Sequence, residues 1–312
     1  MPGGTEGGMA VLVTGANRGI GLEVVRSILD AGSKHFVFLG CRDLAAGQAL
    51  ERRFCADYGQ RVQAVQLDVT SADSIARALG VVGQQEGSRH LDILVNNAGI
   101  LLEGDGALFD IEAVRRTMAV NFEGAVAVTE AFLPLLARAP GGGGQVLSTS
   151  SGIGARTMGL LSAVDRQALL DEKLDLATLR TVLGKLVEAL ENPNSCHHSI
   201  PTVGYGLSKL GVNCFTQILA RQQHPSMRIN AVSPGFCNTD MCANYTGQRK
   251  PKAPALGASV FAKVMFGELG RGRSGTFFKE NSKVGTPLNE AVSDQEPWVT
   301  ESPGLVDLGF KF

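Results

Sequence analysis

The chain has 312 residues, enough for one large α/β domain or for two small ones. Its 29 basic and 30 acidic residues nearly cancel, so it lacks the basic surface expected of a protein that binds nucleic acid or anionic membranes. No apolar run approaches the roughly 18 residues of a membrane span, and residues 1–8 lack the features of a signal peptide. We therefore expect a cytoplasmic protein that acts on a small molecule and binds neither nucleic acid nor membrane.

Short apolar runs alternate along the chain with longer segments that have the apolar spacing of helices. This alternation predicts βαβ units, and hence an α/β fold with a doubly wound parallel sheet covered by helices on both faces. Seven strands are predicted, at Met9–Thr14, Phe36–Cys41, Val62–Leu67, Leu91–Asn96, Gln145–Ser150, Met227–Val232 and Ser274–Phe278. No proline- or glycine-rich linker separates them, which predicts a single domain over residues 1–312.

Three segments lie outside the alternating pattern. Residues 1–8 are interpreted as a flexible tail, residues 156–200 as a helical insertion, and residues 281–312 as an irregular C-terminal tail. Within the insertion, Asp175 as an N-cap and Asn192-Pro193 as a stop predict an amphipathic helix of about four turns. Its apolar residues recur at spacings of three and four: Leu176, Leu179, Val182, Leu183, Leu186, Val187 and Leu190.

The six cysteines form neither a C-x-x-C pair nor a regular framework. This pattern favours the free thiols of a reducing compartment over disulfides. Cys196, His197 and His198 are adjacent in the sequence, and adjacent ligands cannot easily converge on one metal ion. No metal site is therefore predicted.

A glycine-rich turn, Thr14-Gly15-Ala16-Asn17-Arg18-Gly19-Ile20-Gly21, follows the first predicted strand and opens the first helix. Glycines let the backbone turn sharply and approach a pyrophosphate, whose charge then meets the free N–H groups of the helix N-terminus. A glycine turn alone is often only a structural turn. Its place between strand and helix predicts a dinucleotide site in a Rossmann fold.

Tyr205 and Lys209 lie four residues apart in Tyr205-Gly206-Leu207-Ser208-Lys209. On a helix they share a face, so the ammonium group is expected to favour the ionised form of the phenol and to lower its pKa. Such a pair alone is more often an ordinary surface pair. Downstream of a dinucleotide turn, it predicts a tyrosine that acts as an acid or base.

The order of these elements resembles that of the short-chain dehydrogenase/reductase family, from Val11 to about Lys283. Further matches to the family's motifs are Asp68-Val69, Asn96-Asn97-Ala98-Gly99, Asn121, Ser150-Ser151-Gly152-Ile153-Gly154, and Ser233-Pro234-Gly235 with Thr239. Together with the Tyr205/Lys209 pair these are six elements in the family's order, a far more specific signal than any single motif.

The resemblance implies a catalytic tetrad of Asn121, Ser151, Tyr205 and Lys209. Tyr205 would give a proton to the developing alkoxide, and Ser151 would donate a hydrogen bond to the carbonyl oxygen. Lys209 would lower the tyrosine pKa and bind the ribose, and Asn121 would connect Lys209 to bulk water. The implied cofactor-binding residues are Gly15, Asn17, Arg18, Gly19, Ile20, Gly21, Arg42, Asp68, Val69, Asn97, Ala98, Gly99, Tyr205, Lys209, Pro234, Gly235 and Thr239.

The end of the second strand predicts which dinucleotide binds. NAD sites place an acid there for the ribose 2′-OH, whereas an arginine accommodates a 2′-phosphate. Here Cys41 occupies the slot of the acid, Arg42 follows at once, and Arg18 adds a second cation from the glycine turn. We interpret Asp43 as a helix N-terminal residue and predict NADPH/NADP+ as the cofactor.

Ser151 and Tyr205 lie much further apart in sequence than in ordinary members of the family. In this respect the chain resembles the carbonyl reductase subgroup and its plant relatives, the menthone and salutaridine reductases. Thr239-Asp240-Met241 and the stretch from Arg42-Asp43 to Gly47-Gln48 also resemble that subgroup. Leu147-Ser148-Thr149 and the long C-terminal tail depart from its pattern, which leaves the substrate open.

The resemblance implies NADPH-dependent reduction of a hydrophobic aldehyde, ketone or quinone to the alcohol by hydride transfer. Three alternatives remain: an NADP-dependent secondary alcohol dehydrogenase acting in the reverse direction, a non-catalytic NADP(H) sensor, and a scaffold that docks through the insertion. Family dimers pair the helices that here carry Asn121 and Tyr205. We expect the insertion to cover that face and keep the chain a monomer, the alternative being that its apolar stripe is itself a dimer surface.

Overall fold

The computed structural model describes residues 8–84, 90–103, 109–192, 202–243, 245 and 248–279. Its strands form one seven-stranded sheet in the order β3-β2-β1-β4-β5-β6-β7, and all neighbouring strands are parallel. The strands are β1 Ala10–Thr14, β2 Phe36–Cys41, β3 Val62–Gln66, β4 Ile93–Asn96, β5 Gln145–Thr149, β6 Arg228–Ser233 and β7 Thr276–Lys279. The predicted fold class is confirmed, and each predicted strand is present with ends shifted by at most two residues.

Helices connect the strands and cover both faces of the sheet. They are α1 Gly19–Ala31, α2 Leu44–Tyr58, α3 Ala72–Gly83, α4 Ile111–Met118, α5 Gly124–Leu136, α6 Gly152–Leu160, α7 Ala163–Leu170, α8 Leu176–Ala189, α9 Val203–Gln222 and α10 Pro254–Met265. Alternate residues of β1 enter different cores: Leu12 packs with α5 and α9 residues, whereas Val11 and Val13 pack with α1 and α10 residues. Burial on both faces explains why the strands read as apolar runs.

The strand order reverses at β1, which pairs with β2 on one side and with β4 on the other. In a doubly wound sheet, the connections leave such a point towards opposite faces and open a crevice beyond the carboxyl ends of the strands. The glycine turn leaves the carboxyl end of β1, and Asn97 to Gly99 follow β4. The topology therefore brings these two predicted motifs to one crevice.

The insertion is helical, as predicted. Helix α8 begins after Asp175, whose carboxylate accepts a hydrogen bond from the Thr178 N–H at 2.7 Å. Its buried residues Leu179, Leu183 and Leu186 belong to the core that also holds α9 residues. The helical part starts earlier than the predicted residue 156, because Ser151 caps α6.

Helix α8 covers the face formed by α9 and the Asn121 segment. A Cβ atom placed on Gly211 of α9 would lie 2.9 Å from Leu183 Cδ1 and 2.8 Å from the Phe122 ring, so the helices touch closely at this point. At the edge of the contact, Arg180 forms an ion pair with Glu123 at 2.8 Å. The predicted packing of the insertion is therefore present. Residues 193–200 of the predicted insertion and both predicted tails, apart from Gly8, lie outside the described residues.

One helical stretch, Ile111–Leu136, is long and apolar enough to cross a membrane by length and composition, but 56% of its most apolar window is buried inside the protein. Cys41, Cys55, Cys214, Cys237 and Cys242 carry free thiols. Within the described ranges, no three His, Cys, Asp or Glu side chains gather as metal ligands would. Cys196, His197 and His198 lie outside those ranges.

Candidate active site

The glycine turn contains backbone conformations that are unfavourable for residues with a side chain. Gly15 has φ +61° and Gly19 has φ +55°, in the left-handed region that favours glycine. A Cβ on Gly15 would lie 2.9 Å from Ala98 Cα, and one on Gly21 would collide with the Gly15 carbonyl and with Asn97. Glycine at these positions therefore lets the turn after β1 pack directly against the loop after β4.

Two side chains hold this turn in place. The Thr14 Oγ1 accepts hydrogen bonds from the N–H groups of Asn97, at 3.0 Å, and Ala98, at 2.9 Å. The Asn97 side-chain amide in turn donates to the carbonyl oxygens of Thr14, at 3.0 Å, and Gly15, at 3.1 Å. Asn97, predicted to bind the cofactor, thus supports the turn with its side chain.

The start of α1 suits an anion. Its N-cap residue, Arg18, makes no side-chain capping hydrogen bond, and the first turn holds no acidic residue. The N–H groups of this turn therefore remain available to a ligand, and Asn17 before the turn and Ile20 within it are both partly exposed. A pyrophosphate fits this cradle, because its charge complements the helix dipole and the glycines leave room for it.

The end of β2 matches the predicted NADP arrangement. The Cys41 thiol is buried and donates to the Asp43 carbonyl at 3.0 Å; burial raises the pKa of Cys41. The Asp43 carboxylate caps α2 by accepting from the Ala46 N–H at 3.1 Å, as predicted. Arg42 is exposed and has no hydrogen bond or ion pair within the described part of the chain. Its guanidinium group is thus available for a 2′-phosphate.

Arg18, the second predicted cation, forms an ion pair with a residue on the opposite side of the crevice. Arg18 Nη1 lies 2.8 Å from Asp240 Oδ2, and both side chains are mostly exposed. Thr239, beside Asp240, packs against the turn as well, since a Cβ on Gly19 would lie 3.1 Å from its Cγ2. Gly235, with φ +77°, opens this wall after β6 and Pro234. The segment from Pro234 to Thr239 therefore faces the glycine turn across the crevice.

Asp68 and Val69 follow β3. The Asp68 carboxylate accepts from the Thr70 N–H at 2.9 Å and from its hydroxyl at 2.7 Å. These hydrogen bonds lower the pKa of Asp68, and the nearby positive charge of Arg42 adds to them. Val69 is buried against Gly124, so its side chain belongs to the core. Their predicted contact with an adenine stays a prediction.

Tyr205, Lys209 and Ser151 meet at the carboxyl end of β5. The Lys209 ammonium lies 5.5 Å from the centre of the Tyr205 ring, and it donates to the Thr149 carbonyl at 2.8 Å. Ser151 accepts from the Ile153 N–H at 3.2 Å, and its side chain also hydrogen-bonds to Tyr205. These three predicted catalytic side chains therefore form one cluster.

Asn121 lies in a π-helical segment, Ala119–Glu123, between α4 and α5. Its side chain accepts from the Ile100 N–H at 2.8 Å and donates to the Ile100 carbonyl at 2.9 Å and to the Ser208 hydroxyl at 3.1 Å. A Cβ on Gly99 would lie 3.2 Å from the Asn121 Oδ1 and 3.7 Å from the Lys209 Nζ. Asn121 thus joins the cluster by fixing the loop after β4; its role in a water relay stays a prediction.

The pKa values of Tyr205 and Lys209 differ from what the sequence predicts. Burial raises the pKa of Tyr205 to about 12, partly offset by the hydrogen bond with Ser151, and lowers the pKa of Lys209 to about 8. The prediction from the spacing, that the pKa of Tyr205 is lowered, is therefore wrong for the protein without a bound cofactor. Burial favours the neutral form of each group, and the ammonium points at the Thr149 carbonyl.

One side chain at this site was missed by sequence reasoning. The Glu103 carboxylate accepts hydrogen bonds from the N–H groups of Gly204, at 2.8 Å, and Tyr205, at 2.7 Å. Burial raises the pKa of Glu103, although both hydrogen bonds act in the opposite direction. A single glutamate in a loop, far from Tyr205 in sequence, carries no motif that would reveal this contact.

Fold and site together are those of a dinucleotide-binding oxidoreductase. The family model for short chain dehydrogenases matches residues 9–163. Carbonyl reductase [NADPH] 1 from Sus scrofa is 33% identical over 257 residues, which cover 80% of this chain and 84% of that protein. The chain belongs to the short-chain dehydrogenase family.

Two plant enzymes are similar in structure. Salutaridine reductase from Papaver somniferum superimposes with a TM-score of 0.75 at 23% identity, over 86% of this chain and 99% of that one. Menthone neomenthol reductase from Mentha piperita superimposes with a TM-score of 0.72 at 25% identity, over 88% of this chain and 99% of that one. The predicted family and its carbonyl reductase-like subgroup are thereby confirmed.

Proposed function

We propose that this protein reduces a hydrophobic aldehyde, ketone or quinone to the alcohol, with NADPH as hydride donor and Tyr205 as general acid. The observation that carries the proposal is the cluster of Ser151, Tyr205 and Lys209 beside the glycine turn. The enzyme class and the cofactor follow from the family and from relatives named as NADPH-dependent carbonyl reductases. The prediction of an NADP-dependent oxidoreductase is thus confirmed, whereas the substrate and the role of Tyr205 are our proposal.

The cofactor would lie across the crevice at the carboxyl ends of β1 and β4. The N–H groups of the first α1 turn would hold the pyrophosphate, and Arg42 with Arg18 would hold the 2′-phosphate. Arg18 would then either leave Asp240 for the phosphate or contact both groups. NADPH, when bound, supplies the hydride, and its oxidised ring carries a positive charge.

Tyr205 is suited to give a proton at neutral pH. With its pKa raised to about 12, the phenol keeps its proton until the carbonyl oxygen gains negative charge. Ser151 would donate a hydrogen bond to the same oxygen, and Lys209 would stabilise the phenolate that is left. The reverse dehydrogenase reaction would use the same tyrosine as a base.

Exposed apolar side chains on the loops that follow β4 and β6 would border the same crevice, and they support a hydrophobic substrate. Leu102 extends from the loop after β4, and Met241 and Tyr245 extend from the segment after β6; each is more than a third exposed. The rings of Phe236 and Tyr245 pack edge to face with centroids 4.7 Å apart. Large apolar residues left exposed near a reactive centre are typical of a binding pocket for an apolar ligand.

An NADPH-oxidation assay with quinones, isatin-like diketones and monoterpene ketones tests this function. We expect turnover of at least one compound with NADPH and much weaker turnover with NADH. NADPH binding without turnover of any carbonyl compound would instead support the non-catalytic sensor.

We also propose that the protein is a cytoplasmic monomer. Helix α8 covers the helical face that pairs in family dimers, and the free thiols suit a reducing compartment. Sedimentation at micromolar concentration should give a mass near 32.8 kDa, and a mass of about twice that value would reject the monomer. Recovery of the cellular protein with membranes after fractionation would reject the cytoplasmic location.

A further inference from the structure

The helix that carries Tyr205 begins without a local cap. Its N-cap residue, Thr202, has φ 56° and ψ 41°, a left-handed conformation, and its side chain makes no capping hydrogen bond. It is the one non-glycine residue with positive φ in the described part of the chain. Helix N-caps are normally extended residues whose side-chain oxygen accepts from the N–H two or three positions on. A residue in the Thr202 conformation does not supply this bond, so the first N–H groups need another partner.

Glu103 supplies that partner from a distant loop. Its two carboxylate oxygens accept one hydrogen bond each, from the N–H groups of Gly204 at 2.8 Å and of Tyr205 itself at 2.7 Å. These are the two donors that a local cap would satisfy, and a negative charge at this end also complements the helix dipole. The cap of α9 is therefore provided by the loop that follows β4.

The residue next to Tyr205 is small enough to allow this contact. A Cβ on Gly204 would lie 3.0 Å from the Glu103 Oε2 and 2.9 Å from Val114 Cα of helix α4. Any side chain at position 204 would therefore have to displace the carboxylate or the neighbouring helix. Thr202, Gly204 and Glu103 together determine where the first turn of α9 lies.

We propose that Glu103 is a positioning residue for Tyr205, holding the first turn of α9 in place through the Gly204 and Tyr205 N–H groups. This inference rests on the proposed role of Tyr205 as general acid. Glu103 acts through the backbone, since its contacts are to N–H groups and not to reacting atoms. It also links the tyrosine to the loop that carries Leu102, which borders the proposed substrate crevice.

Three substitutions of Glu103 test the inference. Glu103→Ala removes both acceptors, Glu103→Gln keeps one acceptor oxygen, and Glu103→Asp keeps the charge on a shorter side chain. In Glu103→Ala we expect kcat to fall by about 10- to 100-fold, as for a displaced catalytic group, with NADPH affinity within about twofold of the native value. The kcat values of Glu103→Gln and Glu103→Asp should lie between those of Glu103→Ala and the native protein. Amide hydrogen exchange in the first turn of α9 should be fastest in Glu103→Ala and intermediate in the other two variants.

Asp175→Ala is the matched control. Asp175 also caps a helix with its carboxylate, but α8 begins near the far end of α9, where Arg221 donates to the Leu174 carbonyl at 2.7 Å. This variant should lose some thermal stability and keep the native kcat and the native exchange at the start of α9.

Three results would overturn the inference. The first two are a kcat for Glu103→Ala within about twofold of native per NADPH-binding site, and unchanged exchange at the start of α9. A loss of kcat that only follows a loss of NADPH-binding sites would equally reject it, because it would show a general structural role. If Glu103→Ala does not fold, Glu103→Gln is judged by the same criteria. A native protein that turns over no carbonyl compound would reject the proposed function, and exchange at the start of α9 would then decide on Glu103 alone.

Discussion

The cofactor side of the crevice and the insertion side are held by different kinds of contact. On the cofactor side, the backbones of Gly15 and Ala98 pack together, and the side chains of Thr14 and Asn97 close the turn with hydrogen bonds to backbone groups. On the insertion side, the contact of α8 with α9 consists of buried leucines and a surface ion pair between Arg180 and Glu123. The first arrangement accepts few residue types, whereas many amphipathic sequences would satisfy the second.

This difference explains why the chemistry is better defined than the substrate. A dinucleotide imposes one geometry on its turn, so the residues that make it are recognisable. A substrate pocket needs only an apolar lining of suitable shape, and Leu102, Met241 and Tyr245 would accept many hydrophobic carbonyl compounds. Substitutions on each side should therefore have different consequences: loss of chemistry or cofactor on one, loss of stability on the other.

Tyr205→Phe should have the largest effect. The ring still packs, but no proton can be delivered, so kcat should fall on the order of 10²–10⁴-fold while NADPH affinity stays nearly native. Steady-state rates and NADPH fluorescence titration measure the two quantities. A variant that keeps more than about a tenth of the native rate would show that Tyr205 is not the acid.

Leu183→Ala should weaken the packing of α8 on α9 and leave the cofactor side unchanged. Leu183 is 1% exposed and packs against Gly211, so its truncation should lower the free energy of unfolding by about 2–5 kcal/mol. Chemical denaturation measures this loss, and NADPH affinity should stay native in the folded protein. Val164→Ala on α7, where the side chain is 78% exposed, is the control and should change stability little. Equal losses in the two variants would mean that α8 is not packed as described.

Exchange of Arg42 for Asp, combined with Arg18→Ala, should weaken NADPH binding by about 1.5–3 kcal/mol and shift the preference towards NADH. The new carboxylate suits a ribose 2′-OH and repels a 2′-phosphate. Calorimetric titration with both cofactors gives the ratio. Arg53→Asp, which makes the same charge change as Arg42→Asp on another exposed residue near that site in sequence, on α2, serves as control. An unchanged NADPH/NADH ratio in the double variant would reject the assignment of these arginines.

Lys209 should make stability depend on pH. Its pKa is about 8 in the folded protein against an ordinary value of 10.5, so between these pH values the unfolded chain binds more protons and stability rises with pH. The slope should be at most about 1.4 kcal/mol per pH unit from pH 8 to 10, above which Tyr205, with its raised pKa, acts in the opposite direction. The free energies of unfolding of native protein and Lys209→Met, measured by denaturation at a series of pH values, should diverge over this range. Parallel curves would show that Lys209 is not charged differently in the two states.

Patterns within single segments were predicted well, because their physics is local. The glycine turn, the Asp43 and Asp175 caps and the α8 stripe each depend on neighbours in sequence. The Tyr205 pKa was predicted in the wrong direction, because burial of the phenol outweighs the effect of the i, i+4 spacing. Glu103 was missed because the loop after β4 meets the first turn of α9 only in the folded protein.

The most direct test of the central claim is to follow the hydride. NADPH carrying deuterium at the transferred position of its nicotinamide should be mixed with purified protein and an aldehyde or ketone that it turns over. We predict an alcohol with deuterium on the former carbonyl carbon, detected by mass spectrometry, and at most about a hundredth as much of it in the same time with Tyr205→Phe. Oxidation of NADPH without deuterium in the alcohol would contradict hydride transfer to a carbonyl at this site.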